Sequence, residues 1–271
     1  MSPVLAGALA FVCYSSACLL LLHFLVRKQP LPRPLILGLG VLALPLHGLV
    51  VTGQIFQGQG LDLELFHIIS LVGWVMAAMH ILFCSYRPLL VMTLFAFPAA
   101  ALSLLLSLLF QVPDYQPLSH LAPGMEMHIL LSILAYSILF MAALHALLLS
   151  VQNRGLKHKS GPQARLWLKA LPPLQTMEAT LFDIIGLGFA LLTLAILSGF
   201  LSLDNMFAQH VAHKTIFSLI AWGVFATLLT GHRLRGWRGQ TAIRFTLSGF
   251  ALLLVGFYGT KLVLELILQK V

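Results

Sequence analysis

The chain has 271 residues, of which 59% are hydrophobic and 9% charged, with 16 Lys+Arg against 8 Asp+Glu and a net charge of +8. A soluble domain carries about 25% charged residues, so this composition excludes a chain that covers itself with a water-facing surface. The basic surplus sits mostly in short connections between apolar blocks, where positive charge sets membrane orientation, and so makes no case for nucleic acid as a partner.

Eight apolar segments follow one another at about 3–26, 34–53, 64–85, 88–111, 125–151, 179–203, 213–231 and 243–268. Each is long enough to cross a hydrocarbon core of ~30 Å at 1.5 Å per residue. None shows the alternation over about ten residues that a barrel strand needs. The first is not a signal peptide, because Arg27 and Lys28 follow the apolar run instead of preceding it. Pro45 and Pro98 fall inside the second and fourth segments and predict kinks. The longest connection, about 152–178, is basic, contains Pro172-Pro173 and divides segments 1–5 from 6–8. The expected fold is all-α: a polytopic membrane bundle of eight transmembrane helices, one transmembrane domain over residues 1–271. There is no internal repeat to support an inverted-repeat transporter.

The connections predict orientation. Arg27, Lys28 and Arg33 follow segment 1, Arg87 follows segment 3, and Arg154, Lys157, Lys159, Arg165 and Lys169 follow segment 5. Arg233, Arg235, Arg238 and Arg244 follow segment 7, which puts thirteen of the sixteen basic residues on one side. That side is read as cytoplasmic. Both termini then face outward, which in a bacterial inner membrane is the periplasm.

Eleven histidines in so apolar a chain form the main functional signal, since an ionisable side chain in a membrane helix is costly. Toward the outside lie His67, His128 and His213, with His47 in the outer half of segment 2 and His120 and His210 in outer connections. Toward the cytoplasm lie His23, His80, His145 and His232, with His158 in the basic connection. Segments 3, 5 and 7 thus each carry one histidine near each end. His67 and His80 stand ~20 Å apart along their helix and about 220° apart around it, so they cannot serve one metal together. Two sites stacked across the membrane remain open to them. Imidazole is a common axial ligand of haem iron, and a pair on facing helices can clamp the macrocycle. The competing reading is that each ring makes an interhelical hydrogen bond.

Other chemistries find less. No His-Glu-x-x-His indicates a zinc hydrolase, and no Walker-type glycine loop is present. Cys13, Cys18 and Cys84 all lie in apolar segments without a Cys-x-x-Cys pair, which removes a dithiol redox role. Among the acids, Asp183 lies one turn inside segment 6, Glu265 near the outer end of segment 8 and Glu126 beside His128. None marks a mid-membrane ion path. An outer haem could use His128 and His213 as the axial ligands of its iron, with Lys214 near the propionates. On the inner side Arg233, Arg235 and Arg238 follow His232, with topogenic charge as their alternative role.

Three stretches carry a resemblance: Pro-Gly-Met-x-x-His128 opening segment 5, His213-Lys214-x-x-x-Ser218-x-x-Ala221-Trp222 on segment 7, and Gly231-His232-x-x-x-Gly236-Trp237-Arg238-Gly239 after it. The chain resembles the cytochrome c assembly membrane family of the CcsA, CcmC and HemX type, most of all its YpjD-type inner-membrane members. The resemblance covers essentially the whole chain. It implies a multi-pass protein of the bacterial inner membrane that handles or senses haem, held non-covalently as b-type haem, without being an enzyme. It also implies other membrane proteins of haem or cytochrome maturation as partners. By motif position His128 and His213 match the family's outer histidines, and His67, His80, His145 and His232 are the further candidates in the bundle. One departure stands out. The Trp-rich segment of the haem-delivering members is missing, for the 204–213 stretch holds no tryptophan. Two readings from other classes stay open: a small-molecule permease, and a structural or regulatory subunit of a membrane complex without a cofactor.

Overall fold

A computed structural model describes residues 2–57, 60–110, 124–157, 171–202 and 209–256. Its helices are α1 (Pro3–Val26), α2 (Arg33–Ile55), α3 (Leu65–Tyr86), α4 (Thr93–Leu109), α5 (Met125–Lys157), α6 (Leu174–Ser202), α7 (Gln209–Arg235) and α8 (Gln240–Leu254). Seven spans among the described residues, one of them α4 with the 3-10 turn before it, are long and apolar enough to cross a membrane. The eighth, α8, is shorter within them, and the expected continuation to residue 268 lies largely outside the described residues. The expected bundle of eight apolar helices is therefore present.

The chain forms two compact units, one of residues 1–119 with 154–173, the other of residues 120–153 with 174–271. The sequence places its main division at the basic connection after segment 5. The contacts instead divide the chain before α5, whose His128 and His145 meet α6.

In the first unit α1 starts on Ser2, whose hydroxyl accepts from the Leu5 amide, and on Pro3 in the first turn. Proline suits that position because its missing N–H would be unpaired there anyway. The guanidinium of Arg33, at the start of α2, donates to the Cys84 carbonyl near the end of α3, satisfying a terminal acceptor of that helix. A two-residue antiparallel ladder, Phe56 opposite Leu61 and Gln57 opposite Gly60, turns the chain from α2 into α3. A 3-10 turn, Leu90–Met92, precedes α4. Both α2 and α4 continue through their prolines, Pro45 and Pro98.

The core of this unit is built from Tyr14, Ile36, Ala77, Phe97, Ala100 and Ala101. Small residues let helix backbones approach where lipid gives no hydrophobic drive to associate. At Gly40 a Cβ would fall against the Phe97 ring, 2.9 Å from Cε2, so the tip of the ring sits close on α2 where glycine leaves room.

In the second unit α5 and α6 run antiparallel. His128 near the start of α5 meets Ala195 late in α6, Leu139 packs on Gly188, and His145 meets Met177 at the start of α6. Helices α6 and α7 are antiparallel too, with Trp222 Nε1 donating to Thr193 Oγ1 at 2.9 Å and Phe182 stacked on His232. Helices α5 and α7 are therefore parallel, and buried Tyr136 hydrogen-bonds Ser218 between them. Phe140 stacks on Phe250 to hold α8.

Candidate cofactor site

The second unit brings its histidines to two levels. The positions of His128 and His145 on α5 are ~25 Å apart, close to the thickness of a hydrocarbon core. Both rings meet the same partner helix, α6, near its opposite ends.

At the first level the chain enters α5 through Gly124, whose φ of +84° favours glycine and whose carbonyl accepts the His128 amide. The half-buried His128 ring puts Nδ1 2.8 Å from the Ala195 carbonyl and 3.3 Å from Ser198 Oγ. A carbonyl only accepts, so Nδ1 carries the proton and Nε2 of the neutral ring carries the lone pair. Metal-ligating histidines show this arrangement: one nitrogen donates to a carbonyl or carboxylate, which orients the ring and raises the basicity of the other.

His213 belongs to α7 by its backbone, but its side chain lies outside the described residues. The Tyr136–Ser218 bond gives its height. Counting back at 1.5 Å per residue, residue 128 lies ~12 Å and residue 213 ~7.5 Å toward the N-terminal ends of their parallel helices. The two positions differ by only ~4–5 Å in height. Lys214, next in the chain, is half-buried. His120, His158 and the side chain of His210 lie outside the described residues.

At the second level His145 is fully buried and donates from Nε2 to the Met177 carbonyl at 2.9 Å, while its Nδ1 makes no hydrogen bond. His232 donates from Nδ1 to the Trp237 carbonyl at 2.7 Å and stacks on Phe182 at 3.5 Å between ring centroids. The glycine-tryptophan motif seen in the sequence builds this corner. The Gly236 amide bonds the His232 carbonyl and the Trp237 amide the Gly231 carbonyl, with Gly236 at φ +66°. The bond from the Gly236 amide, with Gly236 in the left-handed region, is an αL stop for α7. Gly231 leaves room for the indole, since a Cβ there would lie 2.7 Å from Trp237 Cζ3. Gly231→Ala is therefore expected to dislodge Trp237 and cost about 1–3 kcal/mol, seen as a lower Tm together with a shifted tryptophan emission. Arg233 and Arg235 in the last turn of α7 and Arg238 beyond the stop stand exposed.

The first unit holds the remaining candidates. His80 is fully buried, with Nε2 2.9 Å from Thr93 Oγ1 and 3.5 Å from Cys84 Sγ. His47 is fully buried, with Nε2 3.1 Å from Ser70 Oγ. A buried aromatic chain links them, His47 to Tyr14 to Phe97 to His80, with centroids 5.9, 5.2 and 5.5 Å apart. His23 is exposed. His67 reaches neither of the other two rings by any hydrogen bond and stands instead between Asp62 and Glu64. Those two acids escape the sequence reading, although the spacing Asp62-x-Glu64-x-x-His67 is visible there.

Apolar helices carrying histidines at both ends, on a chain this poor in charge, define a polytopic helical membrane protein. Residues 36–268 match the family model described as Cytochrome C assembly protein. The chain is 32% identical over 269 residues to the Inner membrane protein YpjD of Escherichia coli (strain K12), covering 98% of this chain and 99% of that one. It is 27% identical over 212 residues to the Cytochrome c biogenesis protein CcsA of Chlamydomonas reinhardtii, covering 74% of this chain and 58% of that one. The CcsA of Microcystis aeruginosa is 32% identical over 90 residues, 32% of this chain and 27% of that one. No solved structure matches. The chain belongs to the cytochrome c assembly protein family, as a multi-pass protein of the inner membrane.

Proposed function

We propose that this chain binds haem non-covalently and handles or senses it during cytochrome c assembly, as a binding protein and not as an enzyme. The observation that carries the reading is the His128 ring. Its Nδ1–H is held by the Ala195 carbonyl, so Nε2 presents its lone pair at nearly the height of His213 on the parallel helix. His128 and His213 would hold the iron through their imidazoles, and Lys214 would meet a propionate. The iron would supply redox-active ligation. The chain supplies the imidazole lone pair, its orientation and an apolar wall. None of the three cysteines, Cys13, Cys18 and Cys84, belongs to a Cys-x-x-Cys pair of the kind that attaches haem covalently. At the other level His145 and His232 each keep one unprotonated nitrogen while a carbonyl holds the other. They are the pair to consider for a second haem, with Arg233, Arg235 and Arg238 beside His232. His67 and His80 belong to the other unit and are further candidates that this reading does not need.

The relatives named for cytochrome c biogenesis support this reading. Its test is the absorption spectrum of full-length protein purified in detergent from haem-replete cells, oxidised and then reduced. A Soret band, sharpening into α and β bands on reduction, is expected, and His213→Ala is expected to shift or abolish it. A colourless preparation that also takes up no added haemin would overturn the proposal and leave a structural or regulatory subunit as the better account.

A further inference from the structure

The segment leading into α3 carries three chemistry-bearing side chains that the haem reading does not use. Asp62, Glu64 and His67 are 6%, 3% and 5% exposed. One ligand atom from each lies within 4.8 Å of the other two. His67 Nδ1 stands 3.2 Å from Asp62 Oδ1 and 3.7 Å from Glu64 Oε2, yet it makes no hydrogen bond. A nitrogen this buried, without a hydrogen bond and aimed between two carboxylates, is placed as a ligand is placed.

The backbone fixes all three. The Asp62 amide bonds the Ile55 carbonyl across the small hairpin, and Asp62 Oδ1 accepts the Glu64 amide at 3.0 Å. The Ile68 amide bonds the Glu64 carbonyl, which opens α3 and sets His67 on its first turn. Leu63 and Leu65, both buried, flank Glu64 on either side.

Two carboxylates and one imidazole gathered out of water are a donor set that suits a cation. A tetrahedral ion with bonds of about 2.1 Å sets its ligands ~3.4 Å apart, between the 3.2 and 3.7 Å seen here. Two oxygens and one imidazole nitrogen suit a divalent first-row transition ion better than Mg²⁺ or Ca²⁺, which favour oxygen alone.

We propose that Asp62, Glu64 and His67 form a binding site for one divalent transition-metal ion, of which Zn²⁺ and Mn²⁺ are the probes. The ion ties the connection after α2 to the first turn of α3 and leaves at least one coordination position for water. This site lies in the first unit and stands whether or not the chain binds haem.

The experiment takes full-length protein in detergent, strips it with a chelator, and titrates it with Zn²⁺, Mn²⁺ and Co²⁺, with Mg²⁺ and Ca²⁺ as controls. About one equivalent of Zn²⁺ is expected per chain, with a rise in Tm and a Co²⁺ spectrum of nitrogen and oxygen ligation. Glu64→Gln and Asp62→Asn, which keep shape and lose charge, are each expected to weaken binding by more than about tenfold. X-ray absorption at the zinc edge of the wild-type protein gives a reading that needs no variant: one imidazole with oxygen neighbours supports the site. No saturable uptake by wild-type protein overturns it. So does uptake that both variants retain in full, or a zinc-edge spectrum with sulfur or several imidazoles.

Discussion

His128→Ala is expected to weaken haem retention more than ~100-fold, beyond the 10–100-fold that loss of an outer-shell partner alone brings. The ring is held from behind, with Nδ1 2.8 Å from the Ala195 carbonyl, so Nε2 has the lone pair that iron requires. Alanine removes ligand and orientation together. Ser198→Ala asks less. The Ser198 hydroxyl stands 3.3 Å from Nδ1 and itself donates to the Ala195 carbonyl at 2.8 Å. The carbonyl survives that change, so the loss is expected to be a few-fold. Free imidazole separates ligation from packing. If the ring serves as a ligand, millimolar imidazole restores the Soret band of His128→Ala. An unchanged band in His128→Ala, with no imidazole added, would remove His128 from the site.

The eight helices were legible because one force places them. A run that must hide its backbone in hydrocarbon is long, apolar and helical whatever its neighbours do. Ends were less legible. Helix α5 runs on to Lys157 and α6 begins at Leu174 after Pro172-Pro173, both beyond the apolar runs, because polar residues extend a helix as readily once it leaves the membrane. The turn at Leu90–Met92 was hidden, since an apolar residue reads alike in a 3-10 turn and in an α-helix.

The two levels of histidine on α5 and α7 were visible as spacing. What the spacing could not contain was the tautomer, which depends on Ala195 and Met177 of another helix. The same limit hid the partners of His67. Asp62 and Glu64 carry no signal of their own in the sequence, and only the fold buries them against the ring. The glycine-tryptophan stretch was legible as a motif, while its physical task, ending α7 with Trp237 over Gly231, needed the φ of Gly236.

These cases share a cause. Membrane insertion is decided residue by residue along the chain, whereas ligation, capping and buried charge are decided between segments. The histidines of the second unit show both at once. Their positions along α5 and α7 follow from the chain, while the chemistry of His128 and His145 follows from α6.

The contact most sensitive to added volume lies in the first unit, where α3 passes α4. A Cβ on Gly73 would land on Ser103 Oγ, 2.8 Å from Ser103 Cβ and 3.3 Å from the Ala100 Cα. Ser103 is not free to leave, because its hydroxyl donates to the Ala100 carbonyl at 2.8 Å. Backbone, not a flexible side-chain end, stands next in line, so the helices must separate. Gly73→Ala is expected to cost about 1–3 kcal/mol, and Gly73→Leu more, measured by thermal or detergent-induced unfolding. Gly38 on α2 is the control, since nothing lies within 4 Å of a Cβ there. Gly38→Ala is expected to stay within about 0.5 kcal/mol of the parent. Adding Ser103→Gly to Gly73→Ala removes the hydroxyl but not the Ala100 backbone, so recovery is expected to be partial and the pair non-additive. Equal stability of Gly73→Ala and Gly38→Ala would mean that α3 and α4 are not held together by close approach at this glycine.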